Sequence, residues 1–519
     1  MIPLARKWWT LIAVSTATFM LLLDITVVNV ALPSIRRDLG ASFADVQWVV
    51  DAYSLALAAL VLTAGSLADR FGRRRVFAIG IAVFSGASLL CALAPDPTFL
   101  NVARAVQGVG GGIMFAVSLA LLSQEFPAGR ERAGAIAIYG ATMSVAAAVG
   151  PLVGGALTDG LGWQSIFYLN LPVGAAAIGV TQLRLRESRD PNATRVDWGG
   201  VATFSGALFL LVLALVRGND EGWGSTLIVS LFAGAAMLLA AFVAIERRVA
   251  EPMLPLDLFR VPSFTGVQLA AFAVSASAYS LFLYISLYLQ GYDGYSPLQT
   301  GVRYLPITTM SFLAALLAGA FLSRLPSRVL MSAGLAVSGV GLYLMSGVEA
   351  GAAWTSLLPG FIVAGAGVGF LAPVVSDVAL SVVPEERSGM AAGINDTFRQ
   401  VGVAVGVAVL GAIFLGRGAA KVGDLAAGTP IGSGDRARQL VEAASSGSLG
   451  RAVAAVPAPV RGIASHAGRE GFLAGFNAAL LIGALLCLAG AVLSLWLVRE
   501  REIGRAAPAV ADEPEPSAA

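Results

Sequence analysis

Long apolar runs separated by short polar segments occupy most of the chain. Fourteen of these runs reach the length of about 20 residues that a helix needs to cross a membrane. Their limits are 9–32, 47–68, 76–95, 99–124, 133–158, 165–183, 199–216, 224–245, 262–290, 303–323, 329–348, 353–376, 388–416 and 471–498. The first run is too long for a cleaved signal peptide, contains Asp24 and is followed by further runs. The pattern predicts an all-α polytopic membrane protein with fourteen transmembrane helices.

The basic residues predict how these helices are oriented. Lys and Arg collect in cytoplasmic loops, and short loops carry most of this signal. If the N-terminus is cytoplasmic, the segments on that side hold 21 basic residues, whereas the short segments on the opposite side hold four. We therefore expect both termini to be cytoplasmic and the chain to be a multi-pass protein of the inner, or plasma, membrane.

Composition then excludes several classes of protein. The chain is 57% hydrophobic and 13% charged, with a mean hydropathy of +0.79, whereas soluble domains carry about 25% charged residues. A soluble enzyme and a nucleic-acid-binding protein are excluded, and the net charge of +2 indicates no acidic partner. Neither lysine stands in a nucleotide-binding loop, and the single His466 offers no metal cluster. We expect no cofactor, no metal and no enzymatic activity.

Two pairs of similar loops indicate an internal repeat. The segment 65–75 resembles 319–328 at an offset of 254 residues, and 127–130 resembles 384–387 at an offset of 257. The spacing predicts two parallel six-helix bundles. The chain is thus predicted to consist of an N-terminal bundle 1–184, a linker with inserted helices seven and eight 185–261, a C-terminal bundle 262–498 with an external loop 417–470, and a disordered cytoplasmic tail 499–519. Within the loop, only a short amphipathic piece near 435–444 is expected.

Several motifs then identify a family. They are Leu23-Asp-Ile-Thr-Val-Val-Asn-Val-Ala-Leu-Pro33 in span one, Gly65 to Arg75 after span two, Arg104-Ala-Val-Gln-Gly108 in span four, Gly150-Pro-Leu-Val-Gly-Gly155 in span five, Trp163 to Gly174 around span six, and Glu251-Pro-Met-Leu-Pro255. This set resembles the major facilitator superfamily, and specifically its fourteen-span drug:proton antiporters. The resemblance covers the whole chain except the outer loop and the tail.

Three charged residues inside spans are the candidates for proton coupling. Asp24 lies mid-span, where an ionised side chain costs at least about 2.5–3.5 kcal/mol, and a carboxylate that takes a proton from one side and releases it to the other is the minimum part for such coupling. Arg104 needs a partner or a water-filled cavity because it stays protonated, and the resemblance implies a part in proton transfer. Asp396 stands where the group often has an uncharged residue, so three roles are open: an ion pair with Arg399, a second proton site, and attraction of cationic substrates.

A further set of residues is predicted to control the change between conformations. In span five, Gly150 and Gly154 offer a small-residue face and Pro151 kinks the helix; the resemblance ties this motif to antiport. In the loop after span two, Gly65 and Gly72 are expected to permit close approach and a tight turn. The charged residues of this loop, expected to form an interhelical network that by resemblance stabilises one access state, are Asp69, Arg70 and Arg73.

The candidates for a substrate cavity are polar or aromatic residues within the spans. They are Asn29, Tyr53, Gln107, Phe115, Tyr139, Asn395, Phe398 and Arg399. Ordinary packing is the alternative interpretation for the aromatic members. Asp51 and Asp377 lie near the ends of spans and are expected to face water.

Together these features predict a proton-coupled exporter of hydrophobic drugs or antibiotics, cationic ones included, that works by alternating access. Its partners would be a small hydrophobic substrate, protons and the lipid bilayer, with no nucleic acid; the sequence leaves the oligomeric state open. The alternatives are a dedicated exporter of one endogenous metabolite or lipid and, against the span-five motif, an uptake symporter. A membrane-embedded enzyme would need a nucleophile and a base that lie close together, and the sequence suggests no such set. A sensor would normally carry a soluble output domain, and we expect none here.

Overall fold

The computed structural model describes residues 6–126, 130–189, 197–249, 252–322, 324–383, 388–432 and 435–503. Over these ranges the chain forms helices, turns and connecting segments, and no strand. Fourteen helices in the described residues are long and apolar enough to cross a membrane. The all-α fold with fourteen spans is therefore confirmed.

We number the fourteen spans α1 to α14. Their helices are α1 Arg6–Leu39, α2 Phe43–Phe71, α3 Arg73–Ala92, α4 Pro97–Glu125, α5 Arg130–Leu161, α6 Gln164–Tyr168 with Asn170–Arg184, α7 Trp198–Glu221, α8 Thr226–Glu246, α9 Pro262–Val274 continuing to Tyr292, α10 Pro297–Arg303 with Leu305–Leu322, α11 Ser327–Met345, α12 Leu358–Ser381, α13 Ser388–Leu425 and α14 Arg461–Leu497. Within α9 the segments Ser275–Tyr279 and Leu287–Tyr292 are π-helical.

Local capping explains where several helices begin. Ser42 caps α2 in a capping box with Asp45, and Asp96 caps α4 ahead of Pro97. The turn from α2 to α3 is a single glycine, Gly72, with φ +108°, a conformation that L side chains rarely adopt. The tight turn expected at Gly72 is thus present.

The prediction of a long external loop over 417–470 is wrong in its extent. Helix α13 continues to Leu425 and α14 begins at Arg461. Between them the short amphipathic piece is present as a helix, Asp435–Ser445, which we call the outer helix, and Leu449–Ala454 is also helical. Gly418 lets α13 and α14 approach closely, since a Cβ there would lie 2.8 Å from the carbonyl oxygen of Gly471.

The inserted helices α7 and α8 pack against each other as a hairpin beside the seam between α2 and α13. The Asn219 side chain on α7 donates to the carbonyl of Ala412 on α13 at 2.8 Å, and the rings of Trp48 on α2 and Phe209 on α7 lie 5.5 Å apart. The hairpin therefore contacts both bundles. The proposed limits of the bundles, the linker and the tail remain predictions, and residues 504–519 of the tail lie outside the described residues, as do Pro384–Arg387.

The outer helix marks one end of the molecule, which we call the outer end, and the two bundles contact each other there. The Gln290 side chain on α9 donates to the carbonyl of Val30 on α1 at 2.7 Å. A Cβ at Gly301 on α10 would lie 2.5 Å from the carbonyl oxygen of Pro151 on α5. At the opposite end of α5, a Cβ at Gly134 would have no atom within 4 Å. The outer end is therefore closed, whereas Gly134 near the other end of α5 has no atom packed against it.

Candidate functional site

A network of buried polar side chains joins four helices of the first bundle. Asp24 on α1 is 1% exposed, and one of its oxygens accepts from Nη1 of Arg104 on α4 at 2.5 Å. Its other oxygen accepts from the side-chain amides of Gln107 on α4 and Asn170 on α6, both at 2.9 Å. Three hydrogen-bond donors are thus directed at this carboxylate, one of them carrying a positive charge.

Arg104 is anchored by contacts that its planar guanidinium makes in several directions. Its Nη1 also donates to Gln107 at 2.7 Å, and its Nε donates to the carbonyl of Val49 on α2 at 3.1 Å. The guanidinium lies over the ring of Tyr53, 4.2 Å from the centroid. Lysine offers no such fork, so both the charge and the shape of arginine are used.

The structure adds two residues to this network that the sequence analysis did not select. Asn170 and Ser88 are 2% and 0% exposed, and the hydroxyl of Ser88 accepts from Gln107 at 2.8 Å and from Asn170 at 3.1 Å. Asn170 lies in the quoted span-six motif, where an amide within an apolar run is a usable signal. Ser88 carries no such signal, because serine is common on helix faces that pack closely.

A small, partly open cavity lies between the two bundles, one helical turn from Asp24 along α1. Its lining residues are Leu21, Leu22, Leu57, Phe115, Met143, Asp396, Arg399 and Gln400. A second small cavity in the second bundle shares Arg399 and includes Asn395 and Tyr279. The walls are mainly apolar with a few charged groups, which is typical of sites for small organic molecules.

The predicted cavity residues fall into two groups. Phe115, Asn395 and Arg399 line the cavities. Five others lie elsewhere in this conformation: Tyr53 and Gln107 are in the buried network, Tyr139 accepts from Thr18 at 3.2 Å, Asn29 donates to the carbonyl of Ile25, and the ring of Phe398 packs on Phe259 at 5.8 Å. Hydrogen bonding or packing holds these side chains away from the cavity, although the buried hydroxyl of Tyr53 has no hydrogen-bond partner among the described residues.

Asp396 and Arg399 face the first cavity from the same side of α13. Their nearest atoms are 3.8 Å apart, the intrahelical i,i+3 contact that their spacing predicts. Asp396 is 8% exposed. Asn395 beside it donates to Gln268 on α9 at 3.1 Å. The pair is thus loose, and it adjoins the space that a bound molecule would occupy.

The glycines of the span-five motif place α5 against α1. A Cβ at Gly154 would lie 2.8 Å from the Cα of Val27, and a Cβ at Gly150 would overlap the side chain of Thr26. On its other face, α5 meets α10 at Pro151. The motif therefore fits α5 tightly between the two bundles at the closed outer end.

The loop after span two forms part of the expected charge network. Asp69 at the end of α2 pairs with Arg73 at the start of α3 at 2.8 Å. Arg70 is exposed, with its guanidinium 5.6 Å from the ring of Phe71. Glu187, which follows α6 and was not predicted, accepts from the backbone amide of Arg74 at 3.0 Å.

Close approach at Gly65 is not found in this conformation, since a Cβ there would have no atom within 4 Å.

Asp51 differs most from its prediction. It was expected to face water near a span end, but it is 0% exposed, and neither of its carboxylate oxygens accepts a hydrogen bond in the described part of the chain. Its position two turns into α2 placed it near the end of an apolar run, and nothing in the local sequence indicates that α13 packs against that part of α2. Asp377, by contrast, is exposed.

Comparison with known proteins identifies the family. The family model of the Major Facilitator Superfamily matches residues 14–407. The chain belongs to the Major Facilitator Superfamily. The family resemblance in the motifs is therefore confirmed, and the chain is a multi-pass transport protein of the plasma membrane.

Relatives within the Major Facilitator Superfamily match most of the chain. Multidrug resistance protein Stp of Mycobacterium tuberculosis is 38% identical over 404 residues, which cover 78% of this chain and 75% of Stp. The tetracenomycin C resistance and export protein of Streptomyces glaucescens is 35% identical over 516 residues, covering 97% and 94%. A bacterial homologue of the human lysosomal transporter Spinster, solved in an inward-facing and unoccupied conformation, has a TM-score of 0.63 at 18% identity, covering 97% and 99%. This last similarity shows the fold.

Proposed function

We propose that this protein is a drug:proton antiporter that exports hydrophobic drugs or antibiotics, cationic ones included, by alternating access. The observation that carries the proposal is the buried ion pair between Asp24 and Arg104, one helical turn along α1 from a cavity between the bundles. A buried ion pair whose acid can take up a proton offers two states of different charge next to the cavity. The relatives named for multidrug resistance and for antibiotic export support the substrate class.

In the proposed cycle, the conformation with its outer end closed corresponds to the state that faces the cytoplasm. Here Asp24 is ionised and paired with Arg104, and the drug enters the cavity from the cytoplasm. After the bundles reorient, Asp24 takes a proton from outside, its ion pair with Arg104 weakens, and the drug leaves. Return of the protonated carrier releases the proton to the cytoplasm, so each cycle exchanges proton for drug. This assignment uses the predicted orientation with both termini cytoplasmic.

The proton gradient is sufficient for this work. Moving one charge across 100 mV supplies about 2.3 kcal/mol, and each pH unit adds about 1.36 kcal/mol. One proton under both forces therefore sustains a roughly 500-fold gradient of a neutral drug.

The test uses inside-out vesicles with an acid interior and a pH-sensitive dye. Drugs, both cationic and neutral, are added to vesicles that hold wild type, Asp24→Asn, or the matched control Asp377→Asn, whose parent aspartate is exposed. We expect drug-dependent proton loss from the wild type and the control, and a signal at background level for Asp24→Asn, because the amide cannot carry the proton.

Three outcomes would contradict the proposal. Equal signals from wild type and Asp24→Asn would remove Asp24 as the coupling site. A folded wild type that responds to no drug would favour the alternative of a dedicated exporter for one endogenous metabolite or lipid. Proton movement in the same direction as the substrate would indicate an uptake symporter.

A further inference from the structure

Asp51 is a buried acid that the proposed cycle does not use. It lies on α2 one helical turn after Gln47, so the two side chains share a face of the helix. Gln47 donates to the carbonyl of Val407 on α13 at 2.9 Å, and the hydroxyl of Tyr284 on α9 donates to the same carbonyl at 2.5 Å. Asp51 therefore lies at the seam where the first bundle meets the second.

The groups around Asp51 provide no positive charge. On α9 the titratable group close enough to interact with its charge is Tyr284. Between residues 399 and 417 of α13, and between 198 and 216 of α7, the sequence contains no titratable residue. On α4, Arg104 lies on the other side of α2, where it is paired with Asp24. A carboxylate at Asp51 would be a buried charge with neither cation nor hydrogen-bond donor, so in this conformation the group is neutral and carries its proton.

We propose that Asp51 is a second proton-binding site, protonated while the seam between α2 and α13 is closed and able to exchange its proton with water when the seam opens. The proposal rests on the proposed alternation of the two bundles. When the seam opens, the carboxylic acid gives its proton to water and becomes a hydrated carboxylate. When the seam closes, the carboxylate takes one proton back, because water is expelled from around it.

Helix α2 connects this site to the first one. Val49 and Tyr53 lie on the side of α2 away from Asp51. The carbonyl of Val49 accepts a hydrogen bond from Nε of Arg104, and the ring of Tyr53 lies under the guanidinium of Arg104. If α2 moves relative to α4 as the seam opens, two of the contacts that hold Arg104 against Asp24 change with it. The two aspartates are thus linked through one helix, the first paired with Arg104 and the second unpaired.

The alternative is that Asp51 remains neutral through the whole cycle and serves only in packing. Infrared spectroscopy of the purified, reconstituted full-length protein separates the two, because a protonated carboxyl has its own carbonyl band, which shifts in heavy water once its proton exchanges. The samples are wild type, Asp51→Asn, the acid-preserving Asp51→Glu, and the exposed-site control Asp377→Asn. No drug is needed.

We expect a protonated-carboxyl band at neutral pH that is lost in Asp51→Asn, kept in Asp51→Glu and Asp377→Asn, and shifted after transfer to heavy water. If Asp51→Asn keeps every protonated-carboxyl band of the wild type, the proposal is overturned, since Asp51 would then be ionised in the wild type. A band that never shifts in heavy water would also overturn it. If Asp51→Asn fails to fold, the displacement of the band between wild type and Asp51→Glu gives the same assignment.

The dye assay in vesicles then tests coupling. We expect Asp51→Asn to release fewer protons per drug than wild type, and an unchanged ratio would overturn the coupling role. If wild type exchanges no drug for protons while the Asp51 band shifts in heavy water, the proposed drug export fails and the proton-binding site stands.

Discussion

The two bundles each contain an aspartate with an arginine close to the central cavity, and the two pairs differ in how firmly they are held. In the first bundle, Asp24 and Arg104 lie on different helices, 2.5 Å apart, and side-chain amides from α4 and α6 complete the carboxylate's partners. In the second, Asp396 and Arg399 lie on one helix, 3.8 Å apart, and both line the cavity.

This difference suggests a division of roles. A carboxylate with several fixed donors changes its charge only when the surrounding helices move, which suits a proton site tied to conformation. A loose pair at the cavity wall can rearrange around whatever molecule enters, which suits recognition of varied substrates. This division of roles is contradicted if either pair performs the other's role.

The largest expected effect is at Arg104. Arg104→Gln leaves the carboxylate of Asp24 buried without its cation. Removing one partner of a buried ion pair typically lowers the free energy of unfolding by about 3–5 kcal/mol. Asp24 then stays protonated and cannot release its proton, so drug-dependent proton movement should fall to background in the vesicle assay. The matched variant Arg399→Gln removes the arginine of the loose pair and should keep proton movement. Loss of proton movement for every drug in Arg399→Gln would contradict the division of roles.

The part of this comparison that could be predicted from sequence is the charge itself. Asp24 and Arg104 are visible because ionisable residues inside long apolar runs are rare, and the repeat with its fourteen spans follows from hydropathy and loop motifs. Their partners are different: Ser88 and the carbonyl of Val49 belong to other helices, and only tertiary packing brings them to the site.

Asp51 and the segment 417–470 illustrate the same limit. A residue two turns from a helix start is near water or buried according to which helix lies over it, and α13 is more than 300 positions away in the sequence. The segment 417–470 is rich in small residues that are typical of loops in water, yet here they allow α13 and α14 to pack closely beyond the predicted spans. Composition does not distinguish these two uses of glycine and alanine.

A smaller effect is expected at Asp396. In Asp396→Asn the cavity loses a negative charge but keeps its shape, so cationic drugs lose an attraction while neutral drugs do not. We expect the apparent affinity for cationic drugs to fall by about tenfold, which corresponds to about 1.4 kcal/mol. Concentration curves in the vesicle assay measure this, with neutral drugs as the internal control. An equal loss of affinity for cationic and neutral drugs would point to a role of Asp396 in proton coupling. The two aspartate–arginine pairs would then share one function.

The smallest effect is expected at the outer end, where the outer helix meets α1. Arg36 donates to Ser445 at 2.5 Å and lies 3.5 Å from Glu442. Burial raises the pKa of Glu442, and the nearby Arg36 opposes this in part. Because the folded protein then binds this proton more tightly than the unfolded chain, its contribution to stability is largest below the ordinary range of glutamate and declines as pH rises through the raised pKa.

Glu442→Gln should therefore change the thermal midpoint little at neutral pH and should flatten that decline, whereas Arg36→Ala, which removes both contacts, should lower the midpoint more. Thermal unfolding in detergent at several pH values measures both. A large loss of stability in Glu442→Gln, equal to that in Arg36→Ala, would show that the ion pair and not the bond to Ser445 holds the outer helix. The ion pair between Arg36 and Glu442 would then be as important at the outer end as the buried pair Asp24–Arg104 is in the first bundle.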